Sequence, residues 1–323
     1  MATITKKPAG TIGYGMMNLT WRPEPIPDPQ AFATMKAALE AGCNMWNASP
    51  FYGTPEANSL TLLNRYFTKY PEDAEKVILS VKDGQVPGQM KISGAGDHLR
   101  SSIERCLKML DGKKSLDIFE MARQDPDTPL KESVDTMAEY VKAGMIGGIG
   151  LSEVSPEQIR ANHFLHPVAA VEVELSLQTP DILDNGVAAT CGELGIPIVA
   201  YSPLGRGLLT ATMAKPEDLD AGDIRHRLPR FKAENMEKNA QMGAGLQKIA
   251  KAKGCSPAQV AIAWARSWEN KPGMPTIIPI PGSTTAERAT ENGKAVTLSA
   301  KEIEEIEDLR KRNTAVGDRY GPH

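Results

Sequence analysis

The chain has 323 residues, a formal charge of −3, 24% charged and 41% hydrophobic residues. That composition suits a soluble globule with a sizeable core, and the near-neutral charge gives no reason to expect nucleic acid or an anionic membrane as a partner. No apolar run reaches the length of a membrane span, and the N-terminal MATITKKPAG lacks the apolar stretch of a secretory signal. Cys43, Cys106, Cys191 and Cys255 are isolated, as expected of a reducing compartment, so a cytoplasmic or nuclear setting is expected. Five scattered histidines lack metal-ligand spacing, so no metal is expected.

In chain order, short apolar runs alternate with segments of helical periodicity. The first run covers residues 11–17. A helix follows, with Asp28 as N-cap, Pro29 in its first turn, Phe32, Met35 and Leu39 on its apolar face, and Gly42 as its stop. The run 44–46 comes next, then a helix over 60–67. Run 77–81 ends at Lys82, and its helix carries Leu99, Ile103, Leu107 and Leu110. Run 116–121 precedes a helix bearing Val134, Met137 and Val141. Run 146–151 leads to Ser155-Pro156-Glu157-Gln158, a capping box with proline at the first helical position. Run 169–175 precedes a helix over 187–194. Run 196–201 is followed by a long loop, then a second capping box, Ser256-Pro257-Ala258-Gln259. The last run, 276–280, leads to a helix starting at Thr284, and a final helix opens at Ser299 with Glu302.

Roughly eight strand–helix units of similar length predict an α/β fold, a (β/α)8 barrel in a single domain with extended loops at the C-terminal face of the strands. Its core is expected over about 11–292, with a C-terminal helix and tail over 299–323. An open doubly wound sheet would want GxGxxG after the first strand. Gly13-Tyr14-Gly15 is followed by Met16-Met17-Asn18, without the third glycine.

Barrel active sites lie at the C-terminal ends of the strands. That gathers Asn47, Tyr52, Lys82, Ala122, Arg123, Ser152, Tyr201, Ser202 and the segment 281–283 around one mouth. Tyr52 alone reads as a rim tyrosine, and Lys82 as a solvated strand-end lysine. Together they can work as a proton donor and the cation that tunes it, since an adjacent ammonium lowers a phenol's pKa. Gly205 and Gly207 would let backbone N–H groups approach a phosphate, Arg206 adds charge, and the start of the helix after residue 283 is a second phosphate-compatible element. Either stretch alone would read as an ordinary turn.

The Tyr52-Gly53 loop, Val81-Lys82, Asp117-Ile118-Phe119, Gly150-Leu151-Ser152, Tyr201 through Gly207 and Ile280-Pro281-Gly282-Ser283 with Arg288, Glu291 and Asn292 together resemble the aldo-keto reductases over most of the chain. The resemblance implies a nicotinamide cofactor, usually NADPH, bound without a Rossmann fold. It implies that Tyr201 stacks on the nicotinamide and Ser152 bonds its carboxamide. Ser202, Pro203, Leu204, Gly205, Arg206 and Gly207 would hold the pyrophosphate, Ser283 and Arg288 the 2′-phosphate, and Glu291 and Asn292 the adenine. Residues 208–235 resemble the segment that folds over the cofactor in that family.

Two positions depart from the family's Asp, Tyr, Lys, His set. Tyr52 and Lys82 are kept, but Asn47 stands for the Asp and Ala122 for the His. One reading is a non-catalytic NADPH-binding regulator. The other is a reductase with a trimmed set, in which Asn47 accepts a hydrogen bond from Lys82 and a dry site leaves Lys82 with an abnormally low pKa. Ala122 opens space beside Tyr52, and Trp21, Trp46 and Phe51 are expected near the mouth, with Trp21, Phe51, Ala122 and Arg123 lining the substrate pocket. These features resemble one branch of the family, the fungal-type pyridoxal reductases. That implies reduction of pyridoxal to pyridoxine, with a general aldehyde or ketone reductase as the alternative. The C-terminal residues 311–323 read as a disordered tail or a lid over substrate.

Overall fold

The computed structural model of the chain describes residues 3–89 and 91–320. Its centre is a parallel sheet of eight strands in sequential order: β3 (Tyr14–Gly15), β4 (Met45–Ala48), β5 (Ile78–Asp83), β6 (Ile118–Met121), β7 (Ile149–Ser152), β8 (Val168–Glu174), β9 (Ile198–Tyr201) and β10 (Ile277–Pro279). The first and last strands meet, so the sheet closes into a barrel. The Gly13 amide donates to the Pro279 carbonyl at 2.8 Å, the Gly15 amide donates to that of Pro281 at 3.3 Å, and Gly15 pairs with Gly282. A Cβ on Gly13 would come 2.4 Å from the Met45 carbonyl oxygen, and one on Gly15 would come 2.8 Å from that of Ile280. The glycines of Gly-Tyr-Gly therefore serve the barrel seam, where two backbones approach too closely for side chains.

A hairpin of β1 (Thr3–Ile4) and β2 (Lys7–Pro8), absent from the sequence reading, covers the N-terminal end of the barrel. Ile4 and Ala9 pack there against Met45, Ile78, Ile118, Ala170, Val199 and Ile278, an apolar layer inside the barrel. Because strand side chains alternate, the inward positions one and two steps further up are Asn47, Ser80, Lys82, Glu120, Glu172 and Glu174. The interior thus changes from apolar to charged towards the C-terminal face.

The helices form the outer layer. They are α1 (Met17–Thr20), α2 (Asp28–Glu40), α3 (Ser59–Lys69), α4 (Gly96–Leu110), α5 (Leu130–Lys142), α6 (Pro156–Leu165), α7 (Val187–Leu194), α8 (Ala233–Lys253), α9 (Pro257–Ser267), α10 (Ala286–Gly293) and α11 (Ala300–Arg312). The expected capping boxes at Ser155, Ser256 and Ser299 are all formed. Several expectations are corrected. The first strand ends at Gly15, and Met17 opens the short α1. Asp28 is the first residue of α2 rather than its cap, and its carboxylate is taken by Arg65 through bonds of 2.7 and 2.8 Å. The helix after residue 283 is capped by Thr285, one residue later than expected. The "long loop" after β9 contains the 21-residue α8. Its apolar pattern is interrupted by Gly243 and Gly245, which are packing positions. A Cβ on Gly243 would meet the Leu208 carbonyl oxygen at 2.5 Å, and one on Gly245 would meet Leu309 at 2.5 Å. Trp46 points away from the mouth, into the layer between barrel and helices. It donates to the Cys43 carbonyl at 2.7 Å and stacks on Phe67.

Candidate active site

Strand periodicity and one pinned loop place the site. Asn47 is the third residue of β4 and Lys82 the fifth of β5. Tyr52 lies on the loop after β4. That loop is fixed at its far end by Asn58, whose Oδ1 accepts from the Leu60 and Thr61 amides while its Nδ2 donates to the Thr54 and Pro55 carbonyls. Gly53, with φ of +126°, makes the turn; a Cβ there would come 2.1 Å from the Ala57 carbonyl oxygen. Thr20 donates to the Tyr52 carbonyl at 2.6 Å. Trp21 stacks on the Tyr52 ring (centroids 5.7 Å, 25° between planes) and Phe51 meets it edge-on at 5.3 Å. Ala122, at the end of β6, is buried and leaves no side chain beyond its methyl there. Arg123 next to it is exposed at the rim.

The site holds two residues that the sequence reading passed over, Glu120 on β6 and Glu172 on β8. Both are only 1% exposed, beside Lys82 at 7% and Asn47 at 3%. Lys82 forms an ion pair with Glu172 Oε1. Asn47 Nδ2 donates to Glu172 Oε2 and reaches Glu120 Oε1 at 3.5 Å, while its Oδ1 accepts from the Tyr52 hydroxyl at 3.4 Å. The expected bond from Lys82 to Asn47 is replaced by the one to Glu172. The signal was present in the sequence: Glu120, Glu172 and Glu174 each interrupt an apolar strand, and carboxylates are almost never fully buried unless paired.

The electrostatics follow. Burial alone would lower the Lys82 pKa, but Glu172, and after it Tyr52 and Glu120, outweigh burial and hold the ammonium above its ordinary value. The expected depressed Lys82 pKa is therefore reversed, because a counter-charge comes from β8 rather than from position 47. Burial raises the Tyr52 pKa to about 12; Lys82 lowers it and Glu172 raises it, and burial dominates. Tyr52 is a neutral phenol at physiological pH and can donate a proton. Burial, and then the neighbouring Glu172, raise Glu120 well above the usual carboxylate range, as befits two carboxyl groups around one cation.

The expected cofactor positions converge on the same mouth. Ser152 ends β7 and Tyr201 ends β9. Residues 202–207 turn sharply, with left-handed φ at Ser202, Gly205, Arg206 and Gly207. Pro203 and Gly205 are buried and Leu204 is half-buried. A Cβ on Gly205 would meet Gln178 Oε1 at 2.6 Å. In the segment 208–235, Arg225 is held by Asp223 through bonds of 2.9 and 2.7 Å and donates to the Arg206 carbonyl at 2.9 Å, so two guanidinium-bearing residues meet at this turn. Tyr14 fixes Ser283 by donating to its carbonyl at 2.8 Å. Arg288 is exposed in the first turn of α10, Asn292 is buried, and Glu291 accepts from the Ser256 hydroxyl at 2.6 Å. The hydroxyls of Ser152 and Ser283 are buried without a hydrogen-bond partner among the described residues. Orphaned buried hydroxyls are uncommon. These two stand where a dinucleotide's carboxamide and ribose phosphate are expected, so the residues present fit the cofactor. Among the described residues no cluster could hold a metal ion, and no helix is long and apolar enough to cross a membrane.

After α11 the chain returns to the mouth. Asn239 on α8 exchanges two bonds with the Val316 backbone (2.7 and 2.9 Å). Arg319 pairs with Glu153 and with Glu174 at 3.3 Å, and the Tyr320 hydroxyl meets that of Tyr201 at 2.7 Å. Burial would raise the Glu153 carboxyl; Arg319 outweighs it and holds it below its ordinary value. The tail up to Tyr320 is thus ordered against the mouth, and residues 321–323 lie outside the described residues.

A sequence model described as "Aldo/keto reductase family" matches residues 11–311. "Probable pyridoxal reductase 2" of Schizosaccharomyces pombe is 40% identical, covering 96% of this chain and 94% of its own length. "Aldo-keto reductase str7" of Strobilurus tenacellus is 34% identical over 90% of this chain and 84% of its own. Among solved structures, the glycerol dehydrogenase AKR11B4 from Gluconobacter oxydans superposes with a TM-score of 0.81. It is 22% identical, covers 98% of this chain and 95% of that chain, and is a likeness of fold.

Proposed function

The chain belongs to the aldo/keto reductase family, and on that premise we propose that it reduces an aldehyde to an alcohol with NADPH, pyridoxal being the aldehyde and pyridoxine the product. The observation that carries the reading is the buried set Tyr52, Lys82, Asn47 and Glu172: a neutral phenol at the mouth, an ammonium paired with a carboxylate behind it, and an amide bonded to both the phenol and that carboxylate. The dinucleotide, when bound, supplies the hydride. Tyr52 donates its proton to the carbonyl oxygen as charge develops there, and Lys82 stabilises the phenolate left behind. Acid catalysis of this kind contributes about 10²–10⁴-fold, or about 3–5 kcal/mol.

Ser152 and Tyr201 hold the nicotinamide end, residues 202–207 the pyrophosphate, and Ser283 and Arg288 the 2′-phosphate, for which a guanidinium fork is suited. Glu291 and Asn292 border the adenine. The pocket we propose takes a flat aromatic aldehyde beside Ala122 and Arg123, with Trp21 and Phe51, which pack on Tyr52, offering it aromatic surface. The name of the pyridoxal reductase relative from Schizosaccharomyces pombe supports the substrate.

The test is loss of NADPH absorbance with pyridoxal beside a panel of aryl and alkyl aldehydes, repeated with NADH. Turnover of pyridoxal at least tenfold above the panel, faster with NADPH, is expected. A flat panel would replace pyridoxal by aldehydes in general, and cofactor binding without turnover of any aldehyde would overturn the reductase.

A further inference from the structure

The arrangement around Lys82 reads from β4, β5, β6 and β8 at once. Asn47 sits between two carboxyl groups, Glu172 and Glu120, both fully buried, with Lys82 beside them. An amide has two N–H donors and one acceptor oxygen. Asn47 directs its nitrogen to the two carboxyl groups and its oxygen to the Tyr52 hydroxyl, so every side of the amide is used. An aspartate at 47 would have no N–H to give Glu120 or Glu172 and would place a third acidic group beside one cation. Room for Glu120 is left by Gly150 on β7, where a Cβ would come 3.0 Å from Glu120 Oε2. The remaining groups facing this cluster are the Tyr201 ring on β9, 5.6 Å from the ammonium, and Arg123 after β6, whose charge acts on Glu120.

We propose that Glu172 is the positioning residue that keeps Lys82 charged, that the negative charge of the site has moved from strand β4 to strand β8, and that Asn47 is an amide because Glu120 and Glu172 already flank it. This rests on the reductase reading, yet it makes a statement about coupling that can be read without turnover. Positions 47 and 172 must be non-additive, and the effect of a carboxylate at 47 must change sign with the residue at 172.

Four proteins decide it: the native chain, Asn47→Asp, Glu172→Gln and the double variant. In urea unfolding, Asn47→Asp is expected to destabilise the native background, while in the Glu172→Gln background the same change restores stability. The coupling should be about tenfold in the unfolding equilibrium constant. In kcat against pH, Glu172→Gln should lose about tenfold at alkaline pH, its basic limb moved to lower pH by about one unit, as expected when the lysine loses its counter-charge. The double variant should recover most of that loss. Additive stability effects would overturn the proposal. So would a Glu172→Gln variant whose pH profile is unmoved and whose only defect is weaker NADPH binding by fluorescence, since Glu172 would then be a cofactor contact. If the native chain turns over no aldehyde, the reductase reading fails and the unfolding cycle still decides the coupling.

Discussion

Tyr52 is held from three sides at side-chain scale: Trp21 stacked on its ring, Phe51 against its edge, and Asn47 at its hydroxyl. Ring contacts of this kind contribute about 0.5–1.5 kcal/mol beyond area burial. Trp21→Ala should therefore lower kcat/KM for an aromatic aldehyde by about three- to tenfold. Steady-state kinetics on pyridoxal check this, and an unchanged kcat/KM would remove Trp21 from the pocket. At this scale the sequence marked Tyr52, Lys82 and Asn47 directly, while for their partners it offered only carboxyl groups interrupting apolar runs, with nothing to say what they face. Glu120 and Glu172 sit in short apolar runs that read as buried strand, and only closure of the barrel brings β6 and β8 to face β5.

The loop of Tyr52 and the cap of α3 (Ser59–Lys69) are one element, because the Asn58 side chain serves both. Loss of such a cap costs about 1 kcal/mol. Asn58→Ala should lower stability by about that amount in urea unfolding. It should also lower kcat more than it weakens NADPH binding, since the loop bears the proton donor. A kcat equal to the native value would show that Gly53 and Thr20 suffice to hold the loop. The strands and capped helices were legible because alternation and capping boxes are local signals. Helix α8 was not, because Gly243 and Gly245 face other parts of the chain and break the pattern. The tail was not, because Arg319 and Tyr320 meet residues more than a hundred positions away.

Across the whole molecule, buried acids other than the site carboxylates set the alkaline limit. Burial raises Cys43 and Cys191 from 9.0 to about 12, and Tyr52 from 10.0 to about 12. Below about pH 8 these groups are protonated in both folded and unfolded chains and contribute almost nothing to pH dependence. From about pH 8.5 up to 12 the unfolded chain loses protons that the folded one keeps, so stability falls. Lys82 adds the same sign: its folded value is raised, so its contribution is full below the unfolded value and is lost as pH rises through the folded one. Each thiol removes about 1 kcal/mol by pH 10. Thermal melts under reducing conditions should hold level up to about pH 8.5 and fall above it; a flat Tm to pH 10.5 would contradict the burial of these groups.

The central claim is that Tyr52 donates the proton while other residues hold the cofactor. The most direct measurement compares Tyr52→Phe with the native chain in NADPH-dependent reduction of pyridoxal, with NADPH affinity measured in both by fluorescence. A loss of about 10²–10⁴-fold in kcat with unchanged NADPH affinity is the predicted result. A variant that keeps its rate, or loses it only through weakened NADPH binding, would contradict the account.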